Sequence, residues 1–161
     1  MKILVVSDTH RRNDNYFKVL QRMGPLDMVI HCGDVEGSEY AITQGAECPV
    51  QLVSGNNDFY TQLPRELEFN IGKYKVWVTH GHHYFVNHGT KMIKQAAESR
   101  GVDIVFFGHT HNPLIDTTGE KVIAVNPGSI SYPRQDGRKP SYVIMEIDRF
   151  EEVHFTIAYL E

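Results

Sequence analysis

Apolar residues in the first third of the chain follow two alternating rhythms. Lys2–Ser7 holds an unbroken aliphatic run, as expected of a strand buried on both faces. Asn13–Met23 instead sets Tyr16, Phe17, Val19, Leu20 and Met23 at helical spacing and closes at Gly24-Pro25. Asp27–His31 predicts a second buried strand, Ser38–Gln44 a short helix and Val50–Ser54 a third strand. That order predicts parallel strands with helices packed on them.

The rest of the chain is richer in strands. Glu66–Ile71 and Tyr74–Thr79 flank Gly72-Lys73, a hairpin pattern with glycine in a two-residue turn. A helix is expected over Thr90–Arg100, ended by Gly101, followed by a buried strand at Asp103–Phe107. Leu114–Thr117 and Lys121–Val125 bracket a turn at Thr118-Gly119-Glu120, and Tyr142–Ile147 leads towards the alternating run Val153–Tyr159. Two β-sheets with flanking helices are expected. No stretch reads as a linker or a repeat, so residues 1–161 are expected to form one domain.

Composition narrows the class. Cys32 and Cys48 are the only cysteines and form no CxxC pair, which excludes a zinc ribbon and a disulfide scaffold and suits a reducing compartment. The run Ile3–Val6 is too short for a signal segment or a membrane span, so a cytoplasmic protein with no membrane partner is expected. A net charge of −4, without a basic stripe interleaved with aromatics, argues against long nucleic acids but not against a nucleotide. There is no GxSxG elbow and no GxxxxGK[ST] loop, so serine hydrolases and P-loop enzymes lack their parts.

The chain has nine histidines, most of them beside glycine, aspartate or another histidine. Five short polar clusters each directly follow a strand-like run, and they hold five of these histidines. The clusters are Asp8-Thr9-His10, Gly33-Asp34, Gly55-Asn56-Asn57-Asp58, His80-Gly81-His82 and Gly108-His109-Thr110-His111. Parallel strands end on a common edge, where ligands bind, so five separate loops are expected to converge. Carboxylate, imidazole and amide oxygen without thiolate suit manganese, iron, nickel or zinc. Each cluster alone has a plainer account, a loop cap or a turn, but five such accidents at successive strand ends are improbable. His31 reads as a satisfied core residue and His154 as a surface one, with His83 and His88 open.

In that order the five clusters, with Asn126-Pro127-Gly128-Ser129, resemble the calcineurin-like metallophosphoesterase superfamily, in particular its small single-domain phosphodiesterases. The resemblance runs from about Lys2 to Ser131. It implies a four-layer α/β/β/α sandwich and a dinuclear site for two divalent ions, manganese foremost. Asp8, His10, Asp34 and His111 would hold one ion; Asp34, Asn56, His80 and His109 would hold the other, with Asp34 bridging. The implied activity is phosphoester hydrolysis, foremost of a small phosphodiester, by a hydroxide bridging the metals. Two divalent ions against two carboxylates and that hydroxide leave a residual positive charge, suited to an anionic transition state.

One position departs from the pattern. Many superfamily members carry a histidine where this chain has Asn57, and it is thought to protonate the leaving oxygen. An amide cannot act as that acid, though it can hydrogen-bond a phosphate oxygen. Asn57 is therefore expected to bind substrate, with His82 or His83 as the proton donor. Arg134 is a candidate to fork onto phosphate, with Asn126 and Ser129 lining the far side of the pocket. Tyr84-Phe85 and the C-terminal strands offer either a homodimer surface or core. The alternative function is a non-catalytic interaction scaffold of the same fold, like the retromer subunit; the lost histidine favours it and the complete ligand set opposes it.

Overall fold

The computed structural model describes residues 1–119 and 121–161, so the Glu120 end of the expected turn lies outside the described residues. Three aliphatic strands, β1 (Lys2–Val6), β2 (Met28–His31) and β3 (Val50–Leu52), pair in parallel, with Val5 opposite Ile30 and His31 opposite Leu52. The helices α1 (Asp14–Met23) and α2 (Glu39–Gly45) connect them, as the alternating rhythm predicts. The hairpin of β4 (Glu66–Ile71) and β5 (Tyr74–Thr79) turns at Gly72, whose φ of 58° fits the two-residue turn. Then come α3 (Lys91–Ser99), β6 (Ile104–Phe106), β7 (Pro113–Asp116), β8 (Ile123–Pro127), β9 (Ser141–Ile147) and β10 (Val153–Tyr159).

The strands form two mixed five-stranded sheets, ordered β10-β9-β1-β2-β3 and β4-β5-β6-β8-β7. Strand β8 begins two residues later than expected and runs through Asn126-Pro127, because Pro127 pairs across to Pro113.

The two-residue period of each strand sorts its side chains between layers. Ile3 and Val5 face the second sheet, where Val76, Val78, Ile104 and Phe106 meet them. Leu4 and Val6 face outward onto Tyr16 and Val19 of α1 and Ile42 of α2. Trp77, Val105 and Ala124 cover the other outer face against Ile93 and Ala97 of α3. These three apolar clusters separate four layers, helices–sheet–sheet–helix, as the resemblance implies. Among the described residues no helix is long and apolar enough to cross a membrane.

Candidate metal centre

The parallel strands of both sheets end at one edge, and all five polar clusters meet there. Asp8 and His10 follow β1, Asp34 follows β2, Asn56 and Asn57 follow β3, His80 follows β5, and His109 and His111 follow β6. Asp8 and His80 are fully buried, Asp34 is 1% exposed, and His10 and His109 are half-buried.

The backbone at these positions is unusual. Asp8, His10, Asp34, His109 and His111 all have left-handed φ, between 45° and 70°. Each costs of order 1–2 kcal/mol relative to an ordinary turn, and such strain collects at functional sites. Hydrogen bonds hold it: Asp8 N–H donates to the Gly33 carbonyl and His10 N–H to the Asp34 carbonyl, both at 3.0 Å. The loops are also drawn together closely. A Cβ on Gly33 would sit 2.8 Å from His80 Nδ1, and one on Gly55 would overlap Asp34 Oδ1.

Two groups of donor atoms result, Asp8/His10/His111 and Asp8/Asp34/His80, each with its atoms within 4.8 Å of one another. His111 Nε2 lies 3.2 Å from Asp8 Oδ1 and 3.3 Å from His10 Nε2. His80 Nε2 lies 3.4 Å from Asp34 Oδ2 and 3.9 Å from Asp8 Oδ1. The outer ring nitrogens settle which tautomer faces inward. His80 Nδ1–H donates to the Cys32 carbonyl (2.7 Å), His111 Nδ1–H to the Tyr132 carbonyl and His10 Nδ1–H to Glu36 Oε1 (both 2.6 Å). Because these acceptors demand a hydrogen on Nδ1, all three rings turn Nε2 to the centre, as metal-ligating histidines do.

Asp8 Oδ1 and His80 Nε2 are buried with no hydrogen-bond partner. Unpaired buried polar atoms are costly, and the face-to-face Nε2 atoms of His10 and His111 need a cation or a proton between them. The donor set therefore fits divalent metal.

Electrostatics agree. Burial alone would raise the Asp8 and Asp34 carboxyls, but His111 and His80 beside Asp8, and His80 and Asn57 beside Asp34, outweigh it and hold both below the ordinary range. Burial opposes protonation of His80, yet Asp34 and Asp8 push it up to about 9. Burial and the neighbouring imidazoles of His80, His83 and His109 press His82 down to about 4.

The remaining candidates fall in different places. His109 Nδ1–H donates to Asn56 Oδ1 (2.9 Å), and Asn87 Nδ2 donates to His109 Nε2 (3.2 Å), so this pair sits beside the second group with its nitrogens engaged. Asn57 gives its side-chain amide to Asp34 Oδ2 and its N–H to Asp34 Oδ1, both at 2.8 Å. The amide expected to reach substrate thus holds a carboxylate in this structure. His82 stacks on His83, which is exposed. Arg134 lines a cleft that begins at His10 and His111.

Asn126 and Ser129, expected to line the pocket, are buried braces instead: Asn126 Nδ2 donates to the Gly108 carbonyl (2.9 Å) and Ser129 Oγ to the Asp8 carbonyl (2.8 Å). His31 is the satisfied core residue expected, donating from Nε2 to Thr9 Oγ1 (3.2 Å) and accepting the Gly33 N–H at Nδ1 (3.1 Å). His154 is at the surface, paired with Asp148 at 2.8 Å. Tyr84 packs edge-on against Trp77, whereas Phe85 is 60% exposed.

Asp58 has no individual role assigned from the sequence. Its carboxylate accepts four backbone N–H groups, from Asp34 (2.8 Å), Val35 (2.9 Å), Glu36 (2.6 Å) and Gly55 (2.7 Å), tying the second loop to the third. An acidic residue ending a Gly-Asn-x-Asp cluster is the one sequence signal that pointed to it.

A layered fold whose two sheets join carboxylates and imidazoles at one edge defines a metal-dependent phosphoesterase architecture. Residues 1–149 match the calcineurin-like phosphoesterase superfamily domain, and the chain belongs to that family. It is 34% identical over 149 residues to the probable metallophosphoesterase YsnB of Bacillus subtilis, covering 92% of this chain and 85% of that one. A phosphodiesterase of Methanocaldococcus jannaschii is 29% identical over 146 residues, covering 80% and 83% of the two chains. Among solved structures, a predicted phosphoesterase of Streptococcus pneumoniae superposes with a TM-score of 0.79 at 31% identity, over 99% and 97% of the chains. Vps29 of Entamoeba histolytica shares the fold, with a TM-score of 0.79 at 24% identity over the whole of both chains.

Proposed function

We propose that the protein hydrolyses small phosphodiesters at a dinuclear metal site formed by Asp8, His10, Asp34, Asn56, His80, His109 and His111. The observation that carries this is the pair of buried, unpartnered atoms, Asp8 Oδ1 and His80 Nε2, inside a shell of inward-facing imidazole nitrogens. Two divalent ions, manganese foremost, would supply Lewis acidity at the phosphoryl oxygens and a nucleophile from water near neutral pH. The chain's own residues do the rest. Cys32, Tyr132 and Glu36 orient the rings, Asn57 and Asp58 hold Asp34 and its loop, and the strained backbone keeps the donors within reach before substrate arrives. Hydrolysis forms one P–O bond to water, breaks the ester P–O bond and needs a proton on the departing oxygen. With His82 held down to about 4 and so unprotonated near neutral pH, His83 is the residue assigned to supply it, and Arg134 binds a phosphate of the substrate.

The test is hydrolysis of bis(para-nitrophenyl) phosphate and of para-nitrophenyl phosphate, before and after metal is stripped and Mn²⁺ restored. Manganese-restored turnover that favours the diester and disappears in Asp34→Asn is expected. No turnover with any divalent ion would overturn the reading and leave the interaction scaffold, whose fold the likeness to Vps29 matches.

A further inference from the structure

The cleft beside the first donor group is larger than a scissile phosphate needs. It is an open cleft of about 670 Å³, within the size range of small-ligand sites, and His10 and His111 line it. Arg134 and Arg138 line it as well. Among the described residues no carboxylate lies within 4.0 Å of either guanidinium, whereas Arg100 is paired with Glu66 at 2.8 Å and Glu68 at 2.9 Å. The one carboxylate in the cleft, Glu36, already accepts the Nδ1–H of His10.

The arginine segment is built into the metal site. Tyr132 takes the Nδ1–H of His111 on its carbonyl at 2.6 Å, and Arg134 donates its N–H to the His111 carbonyl at 3.0 Å. Arg138 has a left-handed backbone, φ 43°, closed by its N–H to the Gln135 carbonyl at 2.9 Å. The Tyr132 ring lines the same cleft, with the His10 ring edge-on to it at 5.4 Å and the Arg12 guanidinium 5.0 Å from its centroid. In a chain with net charge −4, two free guanidinium groups beside an anion-processing centre are a local excess of positive charge.

We infer that the substrate carries a second phosphate, held by Arg134 and Arg138 across a nucleoside-sized body that lies along Tyr132. This rests on the hydrolase reading for the position of the first phosphate. Guanidinium groups suit such a group because they present planar forks of donors to phosphate oxygens.

The probes are thymidine 5′-(para-nitrophenyl phosphate) with and without a 3′-phosphate. Wild-type protein with Mn²⁺ should favour the 3′-phosphorylated ester by about 10-fold or more in kcat/KM, mainly through KM, the scale of a charge-assisted contact. In an Arg134→Gln, Arg138→Gln double variant the ratio should fall to near one. Because the readout is a ratio within one protein sample, altered folding or metal loading cancels. In parallel, thymidine 3′,5′-bisphosphate and thymidine 5′-phosphate are titrated into the metal-loaded protein by calorimetry, with the same preference and the same loss expected. Equal treatment of the two esters by wild type, or a preference that survives the double variant, overturns the inference. If no ester turns over but the bisphosphate preference appears and both substitutions remove it, the hydrolase reading falls and the second-phosphate site stands.

Discussion

The two sheets contribute unlike halves of the centre. The sheet around β1 carries the candidate oxygen donors Asp8, Asp34 and Asn56, together with His10, while the sheet around β6 carries only imidazoles, His80, His109 and His111. Each half is steered by the other's backbone. His80 is oriented by the carbonyl of Cys32, at the end of β2, and the N–H of His109 donates to Asp8 Oδ2 at 3.1 Å. Each half leans on the other, since the buried carboxylates need the imidazoles beside them and His80 needs the carbonyl of Cys32.

The sharpest way to break this comparison is to remove the shared oxygen. Asp34 Oδ2 lies 3.7 Å from His10 Nε2 and 3.4 Å from His80 Nε2, where a bridging carboxylate would stand, so Asp34→Asn should lose both metals and reduce diester turnover by about 10³-fold. His10→Ala should lose one. Metal content by mass spectrometry alongside rates distinguishes them, and equal metal loss in the two variants would contradict the sharing.

The nitrogen half also carries the proton question. With His82 held down to about 4, His83→Ala should slow an alkyl diester by about 10²-fold and an aryl diester far less, with His82→Ala as the comparison, because general acid help is worth about 10²–10⁴-fold when the leaving group is poor. A pair of variants with no such selectivity would leave solvent as the donor.

The oxygen half depends on Asp58. With four N–H groups released, Asp58→Ala should weaken metal binding by about 10–100-fold, and Asp58→Asn should recover part of it. Calorimetric metal titration checks this, and unchanged affinity would show that the loops hold without the carboxylate.

Asn56→Asp adds a third carboxylate to the oxygen half. It should bind metal more tightly and turn over about 10-fold more slowly; unchanged turnover would remove the argument from residual positive charge.

The smallest effect is one of protons. In metal-free protein His80, raised from 6.5 to about 9, contributes stability that is full below 6.5 and lost as pH rises through 9. Asp34, depressed from 3.8, contributes stability present above that value and lost as pH falls through its lowered folded value. Metal must displace the His80 proton, so calorimetry at neutral pH in buffers of different ionisation enthalpy should show release of about one proton.

Local pattern disclosed much of this. The unbroken run through Ile3–Val6, the helical spacing of Tyr16 and Val19, and the Gly72 hairpin are legible because burial and turn chemistry act over a few residues. Asp8, His10, Asp34, His80 and His111 could be picked out because each follows an aliphatic strand, and strands share an edge. The positions that sequence misplaced depend on contacts made at long range. Asn126 brackets Gly108, Ser129 reaches back to Asp8, and Asn57 turns to Asp34 rather than outward. Glu36 and Arg138 had no periodic pattern to announce them; only the placement of two distant loops makes them neighbours of His10 and of the cleft.

Strand β1, which carries Asp8, is paired on one side with β2 and on the other with β9, where Lys2 lies opposite Glu146. During synthesis the second neighbour emerges more than a hundred residues after the first. Until then one flank of an aliphatic strand is open to adventitious pairing, and non-local strands are slow to find each other. A ribosome-bound chain halted before Ser141 should therefore bind metal poorly and lean on chaperones, and maturation of the centre becomes a late, all-at-once step in the protein's birth.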